Sequence, residues 1–395
     1  MKRSSMTSDK ALLPAGLRDL LPPHADLEAK VIERLTKVFT RNGYDRVKPP
    51  LIEFEDHLLA GPGSAMTDQT FRVMDPQSQR MMGLRADMTP QVARIAASRL
   101  ARLPRPLRLS YAGQVLRVSG THLRPERQGA QAGIELIGVD NVAGEAEVIL
   151  VALDALAEAE APPVTLDLNL PPFVPALCAA LGIPEDQATT LRRLLEQKDF
   201  AEAQRVAGEH ASQFAPLVKT VGALEGCLPA LEALVLPEAV RPMRDALVAL
   251  ARRVQDASPE ADITLDPLEH RGFEYYDGPS FTLFGRGVRG ELGRGGRYRS
   301  FLEPENAPCV GVTLYLDAVT DHAPLPPEPR RVLVPADLSW VSRRKLQAEQ
   351  WVTVTHLPDA PGALAGTKDE AQRLGCSHVL PEGGMPVALH DLFED

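Results

Sequence analysis

The chain has 395 residues, 44% hydrophobic and 24% charged, enough for two or three domains and a sizeable core. Its 43 Lys and Arg face 53 Asp and Glu, and this net charge of −10 disfavours a nucleic-acid binder, which needs a basic footprint for phosphates. No stretch reaches the roughly 20 apolar residues of a membrane span, and the polar start lacks a signal-peptide run, so a cytoplasmic protein is expected.

Residues 26–42 have helical periodicity, with Leu27, Val31, Leu35, Val38 and Phe39 on one face and Gly43 placed to cap the end. Residues 47–54 read as an extended segment broken by Pro49-Pro50, which suits an edge or interface strand because proline donates nothing to a ladder. Segments 71–74 and 80–84 flank Asp75-Pro76 as a hairpin, and 89–103 reads as a helix. Residues 107–118 and 131–139 alternate like two long antiparallel strands joined by an arginine-rich loop. A helix at 145–159 and a strand at 165–170 follow. From 171 to 256 the texture turns to Ala, Leu, Glu and Arg at helical spacing, with no convincing strand. Strands return at 263–265, 281–284, 290–292 and 310–316. A proline-rich linker at 323–329 then leads to a tail with strand patterns at 332–334, 352–356 and 378–380, separated by helices at 342–349 and 368–374.

The expected organisation is a core over 1–322, carrying a helical insertion at about 171–256, and a small C-terminal α/β domain at 330–395. The expected fold class is α+β, an antiparallel sheet flanked by helices. No glycine-rich phosphate loop follows a first strand, which disfavours a doubly wound nucleotide fold. Cys178, Cys227, Cys309 and Cys376 lie far apart with no histidine at ligand spacing, so they read as buried thiols; neither a metal nor a cofactor is expected.

Four segments carry candidate chemistry. Leu84-Arg85-Ala86-Asp87-Met88-Thr89-Pro90 delivers a carboxylate and a hydroxyl to a helix start, where either alone fits an N-cap. Gly113-Gln114-Val115-Leu116-Arg117 ends a strand on an arginine, which alone is a surface charge. In the strand after Arg127, Gln131, Gly133 and Glu135 share one face by the period of two. The last is Arg271-Gly272-Phe273-Glu274-Tyr275-Tyr276, with Gly295-Gly296-Arg297-Tyr298 downstream; paired tyrosines alone are packing.

Together these segments closely resemble histidyl-tRNA synthetases, class II enzymes with an antiparallel catalytic sheet. The resemblance runs over about residues 12–320, from Gly16-Leu17-Arg18-Asp19-Leu20-Leu21-Pro22 onward, and includes Pro50 at the class II dimer-interface proline. It implies that Asp87 and Thr89 hold the histidine amino group and that Gln131 and Glu135 contact ammonium and ring. Arg271 would face the carboxylate, Tyr275 and Tyr276 would line the imidazole slot, and Arg117 would be the surviving first class II arginine. Charge matching lets Asp87 and Glu135 neutralise the ammonium and Arg271 pair with the carboxylate, while a tyrosine hydroxyl and Gln131 address the ring. The bland alternative is a self-paired relic without ligand.

Departures from the family pattern are as telling. Pro125 stands where the family has a second phosphate-binding arginine, Gly129 replaces the aromatic that stacks on adenine, and Ala318 falls where the last class II arginine belongs. A single lost donor of this kind costs about 2.7–4 kcal/mol of transition-state stabilisation. The tail is shorter than an anticodon-binding domain, and residues 331–395 hold six Lys and Arg against nine Asp and Glu.

A synthetase-like core with a histidine pocket but without ATP groups resembles the regulatory subunits of ATP phosphoribosyltransferase. The resemblance implies a non-catalytic subunit that associates with a short-form catalytic subunit in the first step of histidine biosynthesis. It further implies a requirement for activity, feedback inhibition with histidine as allosteric ligand, a homodimer as basic unit, and no tRNA or membrane partner. A divergent histidyl-tRNA synthetase, a histidine sensor acting on another target and a ligand-free scaffold stay open as alternatives.

Overall fold

The computed structural model describes residues 13–120, 124–270, 275–300, 306–358, 367–382 and 384–391. Contacts divide the chain into two compact units, 1–324 and 325–395.

The first unit opens with helix α1 (His24–Arg41), which buries Leu27, Val31, Leu35, Val38 and Phe39, the stripe expected from the spacing. Gly43, at φ +80°, turns the chain out of the helix. The extended segment is split: β1 (Asp45–Arg46) ends before Pro49-Pro50, and β2 (Ile52–Phe54) joins a different sheet. After α2 (Glu55–Leu58), β3 (Arg72–Met74) and β4 (Met81–Leu84) form the expected hairpin and complete a small sheet in the order β2-β4-β3. Helix α3 (Thr89–Ser98) stops five residues short of the expected end, in turns that lead to Pro104 and Pro106.

The long pair is β5 (Leu107–Leu116) and β6 (Gln128–Ile137), antiparallel over their full length, with β6 starting three residues earlier than its alternation suggests. Then come α4 (Val142–Glu158), capped by Asn141, and β7 (Val164–Asn169). The insertion holds α5 (Phe173–Ala180), α6 (Glu185–Glu196), α7 (Phe200–Ala207) and α8 (Ala211–Phe214). Here it departs from an all-helical reading, because the short strand β8 (Gly222–Ala223) pairs at the sheet edge before α9 (Leu224–Glu232) and α10 (Arg241–Ala257). The core resumes with β9 (Asp262–Asp266), β10 (Tyr276–Gly285), β11 (Glu291–Arg299), β12 (Pro308–Tyr315) and α11 (Leu316–Thr320). Strands β10 and β11 are longer than expected, and the glycine-rich run to Tyr298 lies wholly within β11. Glycine is a poor strand former by itself; pairing on both sides holds it extended.

The main sheet runs β1-β5-β6-β12-β11-β10-β7-β9-β8. Its centre is antiparallel, while β1–β5 and β7–β9 are parallel pairs near its two ends. Helices α1, α4 and α10 pack one face into a continuous apolar core. On the other face α3 covers a smaller cluster containing Met88, Tyr111, Tyr276 and Tyr298. No helix among the described residues is long and apolar enough to cross a membrane.

The second unit has β13 (Arg331–Val334), α12 (Trp340–Ala348), β14 (Val352–Thr355), α13 (Thr367–Arg373), β15 (His378–Val379) and an unforeseen β16 (Val387–Ala388). Its sheet order is β14-β13-β15-β16, with apolar clusters on both faces.

Candidate ligand-binding site

Alternation along β6 decides what faces the site. Ala130, Ala132, Ile134 and Leu136 enter the helix-side core, so Gln131, Gly133 and Glu135 face the opposite side. Register sets Tyr111 of β5 opposite Gly133, and Thr313 of β12 on the other flank of the same glycine. A Cβ at Gly133 would drive into the Tyr111 hydroxyl and the Val312 carbonyl, so glycine is what lets these strands close up.

The segment from β4 to α3 arches over this floor and hangs from Gln131. The Gln131 amide nitrogen donates to Asp87 Oδ2 at 3.0 Å, and its oxygen accepts the Met88 N–H at 3.2 Å. Asp87 Oδ1 accepts the Thr89 N–H at 2.8 Å, a local turn ahead of α3; the N-cap position itself falls on Met88, not on Asp87 or Thr89 as expected, and carries no side-chain cap. Buried Arg85 steadies the arch by donating to the carbonyls of Gln114 at 2.7 Å and Pro49 at 3.0 Å.

Glu135 is 1% exposed. It accepts from the Tyr298 hydroxyl at 2.9 Å and from Thr89 Oγ1 at 3.1 Å. Burial pushes its carboxyl up to about 8; the Tyr298 and Thr89 hydroxyls pull against that shift, and the Asp87 charge adds to it. The Thr89 hydroxyl also lies 3.3 Å from the Tyr111 hydroxyl, which is 2.7 Å from Thr313 Oγ1. Tyr275 donates to the Tyr276 hydroxyl at 2.7 Å with the ring centres 4.1 Å apart, and meets Tyr298 edge-on at 5.9 Å.

Six expected site residues therefore converge: Asp87, Thr89, Gln131, Glu135, Tyr275 and Tyr276. Arg271 lies outside the described residues. Within the cluster Gln131 pairs with Asp87, whereas Glu135 sits deep among the Tyr298 and Thr89 hydroxyls. Tyr111 and Tyr298 were missed as site residues. Tyr111 belongs to no motif in the sequence, whereas Tyr298 ends the Gly295-Gly296-Arg297-Tyr298 run, which was the usable signal.

Arg117 follows β5 and donates to the Ala86 carbonyl at 3.4 Å. It lines a neighbouring cavity of about 440 Å³ that Gln131 shares with the pocket. The sequence reading expects this side to have lost phosphate-binding cations, yet Arg124, Arg127 and Arg289 line it too. Two of them are engaged by neighbouring groups. Arg124 stacks 3.6 Å over the Tyr315 ring and donates to Glu291, while Arg127 donates to the carbonyls of Arg117 and Ala15. Ala318, expected at a strand end, lies in α11. Its neighbour Asp317 places a carboxylate oxygen in the space a side chain at Gly129 would need. Burial, followed by Glu28, pushes Asp317 up to about 6 against the pull of Arg18, with Asp321 and Glu126 adding to the rise.

A polar pocket on the open face of such a sheet is the architecture of class II synthetases specific for histidine, and the family model for histidyl-tRNA synthetase matches residues 16–319. Over 389 residues the chain is 58% identical to an ATP phosphoribosyltransferase regulatory subunit from Rhodospirillum rubrum, covering 98% of this chain and 100% of the relative. The chain belongs to the family of ATP phosphoribosyltransferase regulatory subunits. Among solved structures it is similar to an ATP phosphoribosyltransferase regulatory subunit/histidyl-tRNA synthetase from Bacillus halodurans (TM-score 0.77, 22% identity, 94% of this chain and 97% of that one). It is also similar to a chain of the ATP phosphoribosyl transferase (HisG:HisZ) complex from Thermotoga maritima (TM-score 0.59, 18% identity, 74% of this chain and 99% of that one). At these identities the two structures speak for the fold.

Proposed function

We propose that the chain is a non-catalytic subunit that binds free histidine and, with a short-form catalytic subunit, makes ATP phosphoribosyltransferase active and sensitive to histidine. The reading rests on one juxtaposition. An intact carboxylate–amide–hydroxyl pocket adjoins a cavity whose would-be adenine shelf, above Gly129, is filled by the Asp317 carboxylate. An acid there repels a nucleotide, and Pro125 and Ala318 supply no cation for a phosphoryl transition state.

In the pocket, Asp87 held by Gln131 receives the ammonium, with Thr89 beside it. Glu135 and the tyrosines receive the ring, and Arg271 is assigned the carboxylate. Asp87 carries the charge match, while Glu135 suits a ring nitrogen because it already lives among hydroxyls. The basic unit is a homodimer built on α1 and the Pro49-Pro50 segment; the protein acts in the cytoplasm and takes no tRNA.

The test is to mix the purified chain with a short-form catalytic subunit. The phosphoribosyltransferase rate should rise above that of the catalytic subunit alone and fall when histidine is added. The chain alone should show no histidine-dependent exchange between ATP and pyrophosphate. Exchange above background would favour a divergent synthetase instead, and an unchanged rate on mixing would remove the partner.

A further inference from the structure

Glu135 occupies an unusual position for an acid. It is 1% exposed, and its hydrogen bonds among the described residues come from hydroxyls and from no cation. Among the described residues, the titratable groups around it are Tyr44 just after α1, Asp87 from the arch, Tyr111 from β5, Tyr276 from β10 and Tyr298 from β11, with Cys309 of β12 behind Tyr298. None of these brings a positive charge. A carboxylate charge in such a place is costly, whereas the neutral acid is not. Placing the ligand ring at this end gives the acid a base to meet.

We propose that the pocket recognises histidine with its ring uncharged, by sharing a single proton between Glu135 and a ring nitrogen, and that Tyr298 is the positioning residue that sets the proton balance of Glu135. The inference rests on the histidine reading above and adds the protonation form of the ligand. In the empty pocket the proton sits on the Glu135 carboxyl. When a neutral ring arrives, that O–H donates to the ring nitrogen, and the proton either stays or crosses to give a carboxylate–imidazolium pair. No proton enters or leaves in either case. A ring that arrives charged must first shed its proton, and a Glu135 already ionised must first regain one.

Tyr298 acts through Glu135. Its hydroxyl donates to Oε2 at 2.9 Å and so favours the ionised form, opposing the effect of burial. Its ring is 2% exposed and lies edge-on to Tyr275, so the hydroxyl is fixed in direction. Removing that hydroxyl alone should leave Glu135 harder to ionise.

Calorimetric titration of the full chain with histidine, from pH 5.5 to 9 in buffers of different ionisation enthalpy, tests this. Affinity should be level between the ring's ordinary value of about 6.5 and the upper limb set by Glu135. It should fall about tenfold per pH unit below that window, with release of about one proton per histidine bound. The ligand's ammonium also titrates on the alkaline side in every variant alike, so that limb is read as a difference between proteins. Tyr298→Phe should move the Glu135 part of it to higher pH and leave the acid limb in place. Glu135→Gln should remove it, which keeps the test open if Tyr298→Phe does not fold. Equal loss at every pH in Tyr298→Phe would reduce that residue to packing and overturn its role. Proton uptake or release near pH 7.2, or an alkaline limb unchanged in Glu135→Gln, would overturn the shared proton. Both results leave histidine binding standing; no binding of histidine at any pH would take down the pocket reading as well.

Discussion

Gln131 and Asp87 form a fixed pair: the amide nitrogen donates to Oδ2 at 3.0 Å while the amide oxygen holds the Met88 N–H at 3.2 Å. One strand residue thus orients the carboxylate and anchors the backbone that carries it. Gln131→Leu should orphan the buried Met88 N–H and release Asp87, at a cost of about 1–3 kcal/mol. Thermal unfolding reads a second effect. Histidine at a hundredfold excess over its Kd should stabilise the wild type by about 2.7 kcal/mol, and the variant should gain nothing. A variant that gains as much as the wild type would contradict the assignment.

The carboxyl of Glu135 makes stability depend on pH. Its folded value of about 8 exceeds the ordinary 4.5, so between these limits the folded chain keeps a proton that the unfolded chain has lost. Stability should therefore fall as pH rises through that window, by up to about 1.4 kcal/mol per pH unit for this one proton. Glu145 and Asp317, raised to about 7 and about 6, add slopes of the same sign at lower pH. Glu135→Gln should flatten the upper part, and urea melts at pH 6, 7 and 8 would show whether it does.

Asp317 sits among acids, with Arg18 as the opposing charge. Because its folded value lies above the ordinary 3.8, its contribution is lost as pH rises towards about 6 and stays lost at neutrality. Asp317→Asn should stabilise the chain at pH 7 by about 1–2 kcal/mol after allowance for solvent screening. It should not create adenylate formation, since Pro125 and Ala318 remain. Denaturant melts and pyrophosphate exchange on the same preparation check both halves.

Gly311 of β12 lies against the Glu135 carboxylate, and a Cβ there would overlap both of its oxygens. Gly311→Ala should cost about 1–3 kcal/mol by overpacking and abolish histidine-dependent stabilisation. Gly287→Ala, at a turn residue with nothing within 4 Å of the added methyl but with φ +81°, controls for backbone strain without touching the pocket. If both variants respond to histidine like the wild type, Glu135 does not receive the ring.

Alternation and spacing made much of this legible in the sequence. The period of two put Gln131 and Glu135 on one face, and the stripe from Leu27 to Phe39 gave α1 to within two residues. Strand lengths in β10 and β11 were hidden because glycine and polar residues fill them. Their extended form comes from neighbours distant in sequence, such as Asn169 beside Ser280 and Gly311 beside Gly296. Tyr111 was illegible for the same reason, since its role exists only once four strands are in register; Tyr298 was marked by its motif but not its contact with Glu135. The cavity misled in a different way. Missing arginines were visible at 125 and 318, and the β5–β6 loop was visibly arginine-rich, but that its arginines and Arg289 of the β10–β11 turn line one cavity depends on the fold.

The pocket floor is largely bare backbone, and this constrains how the site can change. At Gly133, Gly296 and Gly311 the smallest possible substitution, a single methyl, already collides with a neighbouring strand or with Tyr111, Tyr276 or Glu135. Single-step mutational paths through these three positions are therefore steep. Positions 125 and 318 lie on the wall of the neighbouring cavity, away from this floor. Steric contact alone thus holds the floor against change, whatever side chains line the cavity wall beside it.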